Sequence, residues 1–158
     1  MTDPMLTLRF QHRPGAFDRI VSLLRRRGFP VSGMTLERTH QAGIGRMTVV
    51  VDQPAMLEQV ARHLRKLPDV LEVTTAGDDE AVRREYALAR IRCTPEQRSE
   101  ATALIEIFDG RVVSAEQDQM VIEATGAGAK LDELFANLER FGIEDSARTS
   151  AIALRRSA

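Results

Sequence analysis

Apolar and polar positions alternate along Leu6, Leu8 and Phe10, the period-two rhythm of a strand with one buried face. Further on, Phe17, Ile20, Val21 and Leu24 fall at i, i+3, i+4 and i+7. That spacing predicts a helix starting near Gly15, and Gly28 is placed to stop it. Alternation returns from Pro30 to Arg38 and from Ile44 to Asp52, where Met47, Val49 and Val51 share a face. With the Gln41-Ala42-Gly43 turn between them, the two strands form a hairpin. Pro54 suits a first helical turn, where a missing N–H costs nothing. Leu57, Val60, Ala61 and Leu64 continue at helical spacing, Pro68 ends the element, and Val70 to Thr74 is a closing strand. The order βαββαβ over residues 5–76 predicts a sheet with both helices on one face.

The polar run Ala76-Gly77-Asp78-Asp79-Glu80 reads as a linker, placed at residues 77–84, and the pattern then restarts over residues 85–158. Tyr86 to Cys93 is a strand, and Thr94-Pro95-Glu96-Gln97 combines a capping Thr, a Pro in the first turn and a Gln three residues after the cap, a helix start. Ala101, Leu104, Ile105 and Phe108 form its apolar face, and Asp109-Gly110 turns the chain. Strands near Val112-Val113 and Met120 to Ala124 flank a polar loop. Leu131, Leu134, Phe135 and Leu138 make another helix, stopped at Gly142, and a last strand is expected around Ser150 to Arg155. The predicted class is α+β, two tandem ferredoxin-like βαββαβ sandwiches. Modules this small, with one helix layer each, leave a sheet face or edge in need of cover, so at least a dimer is expected.

Composition narrows the function. Of 158 residues, 43% are apolar and 28% charged, the balance of a globular protein. A net charge of −1 gives no basic footprint, and Arg46 to Val51 carries none of the aromatics on which RNA-binding sheets stack bases, so nucleic acid is not an expected partner. The lone cysteine, Cys93, excludes an internal disulfide and a cysteine-rich zinc site, and fits a reducing cytoplasm. The N-terminal residues lack a basic segment followed by an apolar run, and no stretch approaches the ~18 apolar residues of a membrane span; no membrane contact is expected. His12, His40 and His63 form no ligand or nucleophile motif, and the carboxylates fall mainly on solvated helix faces. Gly126 to Lys130 lacks the spacing of a phosphate loop and reads as a turn before a helix, while Arg25-Arg26-Arg27 suits the end of a helix dipole. No catalytic residue and no metal ligand is assigned. What remains is the turn His12-Arg-Pro-Gly15-Ala16-Phe17. A Gly at a strand-to-helix turn lets backbone N–H groups face a small carboxylate, and a Gly is also what the turn itself requires.

Pro14-Gly15-Ala16-Phe17 with Arg19, Arg27-Gly28-Phe29, Met34-Thr35-Leu36, Arg46-Met47-Thr48 and Leu64 to Val73 stand in the first half. Glu85 to Leu88, Glu106 to Gly110, Thr125-Gly126 leading to Lys130-Leu131-Asp132, Ala147-Arg148-Thr149 and Ala153-Leu154 stand in the second. In this order and spacing the chain resembles the regulatory (small) subunits of acetolactate synthase, also called acetohydroxyacid synthase, whose N-terminal half is an ACT domain. The resemblance implies a non-catalytic partner that binds and activates a thiamine-diphosphate-dependent catalytic subunit of branched-chain amino acid biosynthesis. This chain would then bind no cofactor; thiamine diphosphate, Mg²⁺ and FAD would belong to the catalytic subunit. It also implies feedback by valine or another branched-chain amino acid, held at an ACT-dimer interface between the Gly turn of one protomer and the start of the second strand of its neighbour. The matching positions are His12, Gly15, Ala16 and Phe17, with Pro30 and Val31 across the interface.

Two positions depart from the family pattern, which usually has Asn in place of both His12 and Pro30. Pro30 offers neither an N–H nor a polar side chain. A lost hydrogen bond to a charged group costs on the order of 1.5–3 kcal/mol, at least tenfold in affinity. Weakened or altered valine feedback, with activation retained, is therefore expected, and His12 offers a replacement donor. The polar hairpin tip from Thr39 to Gly45 is the expected contact with the catalytic subunit, through Gln41 and Ile44. The alternative is a stand-alone amino-acid-sensing ACT regulator of another enzyme.

Overall fold

In the computed structural model, which describes residues 4–75 and 81–156, the first strand, β1 (Met5–Gln11), lies between two antiparallel neighbours. Leu6, Leu8 and Phe10 are buried on one face, as their alternation predicts. The helix α1 (Ala16–Arg26) follows, then β2 (Val31–Arg38), β3 (Ile44–Val51), the helix α2 (Leu57–Leu64) and β4 (Val70–Thr75). The sheet order is β2-β3-β1-β4, and Ile20, Leu24, Val60, Ala61 and Leu64 of the two helices share the apolar core with β1 and β3.

Local chemistry ends the first helix where expected. Gly28 adopts φ 62°, its N–H donates to Arg25 O (3.0 Å), and that of Phe29 donates to Leu24 O (3.2 Å). This pair of bonds closes the helix around a left-handed residue, and the buried Phe29 joins Leu24 in the core. A second glycine serves packing. Phe10 lies opposite Gly45 in β3, and a Cβ on Gly45 would come within 2.6 Å of the Phe10 ring.

The opposite face of the sheet is polar. Arg9 and Arg46 stand directly across from each other, a repulsive pairing that each relieves sideways: Arg9 lies 3.6 Å from Glu72 of β4, and Arg46 lies 3.2 Å from Glu37 of β2. Thr48 Oγ1 donates to the same Glu37 carboxylate (2.7 Å). One corner of this face is apolar, and there Met5 and Val50 cluster with Ala151 and Ala153 near the C-terminus.

The chain divides into two compact units, Met1–Val82 with Ser150–Ala158, and Arg83–Thr149. The linker expected at 77–84 falls up to residue 80 outside the described residues, and from Ala81 the chain is already in β5 (Ala81–Arg92). Helix α3 (Arg98–Ile107), β6 (Arg111–Ala115), β7 (Gln119–Gly126), α4 (Gly128–Leu138) and β8 (Ile143–Arg148) repeat the pattern, with sheet order β6-β7-β5-β8. The reciprocal Thr94–Gln97 capping box is present, and α4 starts just after Gly126, where a turn was expected. Arg148 ties the unit together, reaching Glu85 and Asp132 at 2.5 Å each and donating to Gly128 O at 3.0 Å.

One expectation is corrected here. The strand predicted around Ser150 to Arg155 is not the fourth strand of the second sheet; Ile143–Arg148 takes that position beside β5. Only Ile143 of β8 packs against the core, and its remaining residues are exposed, so no alternation marked it. The later segment forms β9 (Ile152–Arg155), which pairs with β5, and residues from Ser150 onward belong to the first unit.

Because the Phe10 ring fills the space over Gly45, Gly45→Ala is expected to overpack the first core and to lower unfolding stability by about 1–2 kcal/mol. Urea denaturation of the full chain measures this, and the loss should largely disappear in a Phe10→Leu background.

Candidate functional site

The turn that joins β1 to α1 is pinned at its entry by two backbone bonds. Gln11 N–H donates to Asp69 O and His12 N–H to Gly43 O, both at 2.8 Å. Arg13 to Ala16 then closes a tight turn, with Ala16 N–H donating to Arg13 O (3.0 Å). Gly15 is the N-cap of α1 at φ 79° and supplies no capping side chain. The first helical bond runs from Arg19 N–H to Gly15 O (3.0 Å), so the N–H groups of Phe17 and Asp18 lie ahead of the ladder. A helix start of this kind carries partial positive charge. The left-handed conformation of Gly15 makes the turn, and the residue adds no side chain at the exposed helix start.

Arg19 adds a full charge beside it. Its Nε donates to Asp69 Oδ2 at 2.6 Å, and a Cβ on Gly15 would lie 2.9 Å from its Nη1, so the guanidinium folds back beneath the turn. The hydrogen bond from Arg19 holds the Asp69 carboxyl below the usual carboxylate range, and the charge of Arg13 adds to this. Residue spacing did not single out this pair, because Asp69 follows the Pro68 turn, fifty residues along the chain from Arg19. The signal available was Arg19 one helical turn after Gly15.

The expected site residues have distinct settings. Ala16 is fully buried, so only its backbone can meet a ligand, whereas Phe17 is 41% exposed. His12 is exposed, with its ring edge-on to Phe10 at 6.2 Å between centroids. Pro30 precedes β2 and its carbonyl accepts from Asp52 N–H (2.9 Å), while Val31 packs half-buried against the core. These two groups do not meet within one chain. Gln11 lies opposite Ile44 whereas Val31 lies opposite Val51, a separation of about seven residues, or roughly 20 Å, along β3.

The hairpin residues, by contrast, adjoin the Gly turn. Ile44 pairs with Gln11, Arg9 Nη2 donates to Gln41 Oε1, and Thr39 Oγ1 donates to Ile44 O at 2.9 Å. Cys93 is buried, and burial pushes its thiol up; His63 lies edge-on to Phe29 at 5.4 Å. Among the described residues there is no group of three or more His, Cys, Asp or Glu able to hold a metal, and no helix long and apolar enough to cross a membrane.

Comparison with known proteins decides the family. Residues 6–72 match the family model of the AHAS small subunit-like ACT domain, and residues 84–157 that of the small subunit of acetolactate synthase. The acetolactate synthase small subunit of Aquifex aeolicus is 36% identical over 155 residues, covering 96% of this chain and 80% of that protein.

The chain belongs to the acetolactate synthase small-subunit family.

The Bacillus subtilis small subunit is 34% identical over 154 residues, covering 96% of this chain and 90% of its own. The crystal structure of the acetolactate synthase small subunit from Thermotoga maritima superposes with a TM-score of 0.88 at 28% identity, covering 100% of this chain and 99% of that one. Membership of this small-subunit family accords with the tandem α+β architecture and with a chain that serves as one component of an enzyme complex.

The Arg19–Asp69 pair makes a pH-dependent contribution. A carboxyl held low in the folded state stabilises above its unfolded pKa of about 4, and that contribution is lost as pH falls through the lower folded value. In Arg19→Gln the Asp69 carboxyl is expected to titrate higher, and the drop in stability between neutral and acid pH to shrink. Carboxyl-carbon NMR titration with urea melts at two pH values checks both, and an unmoved Asp69 midpoint would show that Arg19 does not set it.

Proposed function

We propose that this chain is the non-catalytic regulatory subunit that binds and activates a thiamine-diphosphate-dependent acetolactate synthase catalytic subunit, in the biosynthesis of valine, leucine and isoleucine. The observation that carries the reading is the match of both halves, in tandem and over nearly the whole chain, to small-subunit families. Thiamine diphosphate, Mg²⁺ and FAD then reside on the catalytic partner, and the complex works in the cytoplasm. The division into an ACT domain at 5–76 and a C-terminal domain at 85–158 belongs to the same proposal.

The effector, a branched-chain amino acid, would place its carboxylate against the uncapped start of α1, with Gly15 and Ala16 offering backbone, while Arg19 lies close by with its charge engaged by Asp69. Its side chain would meet Phe17. Because Pro30 and Val31 lie at the other end of the sheet, a second protomer must bring them to the turn. The β2 edge supports such a homodimer: among the described residues it pairs with β3 alone, and Met34 and Leu36 on it are 41% and 51% exposed, an apolar edge of the kind that invites pairing with another chain. At this interface Pro30 supplies no donor, so valine binds weakly, and His12 is the group available to compensate.

Acetolactate formation by the catalytic subunit of the same organism, with and without this chain across a valine titration, tests the reading. Stimulation is expected, with little reversal by valine; no stimulation at any ratio of subunits would reject it. Pro30→Asn, which returns an amide to the β2 start, should tighten valine about tenfold or more by calorimetry. The hairpin assignment predicts that alanine at the exposed Gln41 and the half-buried Ile44 together weakens activation more than it weakens folding, read by activation assay beside thermal melts. Unchanged activation by a folded double variant removes the hairpin from the contact.

A further inference from the structure

One ion pair fixes which way α1 faces. Arg19 reaches Asp69, just before β4, and α2 packs over β4 and β1, so this flank of α1 looks toward α2 and the opposite flank toward the β2 edge. On that opposite flank Phe17 is exposed and Val21, one turn on, is half-buried. The sheet continues the apolar surface. Met34 and Leu36 of β2 pair with Val49 and Met47, which lie in the core beneath the helices. Met34 and Leu36 therefore point to the helix side of the sheet, yet both remain exposed. Phe17, Val21, Met34 and Leu36 make an apolar ledge along α1 and the edge of the first unit.

Charge is ordered along the rim of this ledge. Asp18 and Arg25 are both exposed, and their i, i+7 spacing puts them on one side of the helix, about 10 Å apart along its axis and too far to pair with each other. The charge of Asp18 is felt by Arg19, but among the described residues neither Asp18 nor Arg25 makes an ion pair or a side-chain hydrogen bond. Their places in the first and last turns suit the helix dipole. The dipole does not call for an apolar strip beside them. An acid at one end of a face, a base at the other and apolar residues between them are complementary to the same face turned end for end, the condition for a two-fold contact. We propose that this flank of α1 and the β2 ledge bind a second copy of this chain, with the two α1 helices antiparallel and crossing near Val21, so that Asp18 of each protomer meets Arg25 of the partner subunit. The same setting carries Pro30, which follows the end of α1, toward the Gly turn at the start of the other helix. The inference rests on the reading of the effector site as shared by two protomers, and it names the charges that set their mutual orientation.

Sedimentation of the full chain at low salt, with urea melts to report the fold separately, tests the contact. Asp18→Arg and Arg25→Asp are each expected to weaken self-association about tenfold or more, because each sets like charges against one another at both ends of the helix pair, and the difference should narrow as salt rises. The two variants mixed in equal amounts should associate as tightly as the wild type. In a mixed pair one contact joins the two substituted residues and the other joins the two native ones, so both are again of opposite sign. A change in the fold of either variant cannot be repaired by mixing, which separates the contact from a role within the helix. Unchanged self-association in both variants, or a mixture no tighter than the variants alone, overturns this interface and leaves the shared effector site standing on some other pairing of protomers. A wild-type chain that remains monomeric at every concentration overturns the interface and the shared effector site together.

Discussion

The Phe10 ring against the bare backbone of Gly45 is the contact on which the first unit depends. It locks β1 to β3 in the one register that turns Leu6, Leu8 and Phe10 toward the helices, and a slip of one residue would turn all three away. The same register delivers Gln11 beside Ile44 and His12 N–H to Gly43 O. The turn at Gly15 and the start of α1 therefore inherit their place from a packing contact in the core.

The two faces of that sheet are stabilised differently. One is closed by helices through apolar burial. The other keeps two arginines opposite each other and answers each with a carboxylate from a different neighbouring strand, so charge is balanced across four strands rather than within one pair. Partly exposed pairs of this kind contribute little energy singly. They do oblige the strands to stay in order, and they leave only the Met5–Val50 corner for an apolar cover.

Much of this was legible in the residues because local and global signals agreed. The alternation in β1 and β3, Gly28 after α1 and the Thr94–Gln97 box each named an element and its end. What escaped was carried by edges and by long-range contacts. The strand β8 buries only Ile143, so its polar sequence resembles a loop, and the recognisable alternation of Ala151 to Leu154 belongs to an additional strand, β9, that pairs with β5 and is not the fourth of the order β6-β7-β5-β8. Arg19 and Asp69 meet only because α1 and the turn before β4 converge. The residues suggested for effector binding were legible only through resemblance, since Gly15 alone cannot separate a turn from a ligand cradle.

The distance between the Gly turn and the β2 start within one chain has a consequence for how such a regulator responds. A ligand that bridges two protomers is bound only as often as the protomers are paired, so its apparent affinity rises with the concentration of the subunit itself. By the same linkage, ligand would draw separate chains together. On the proposed reading, the abundance of the regulatory chain becomes an input alongside the abundance of amino acid, and a cell making little of it would sense the end product less acutely.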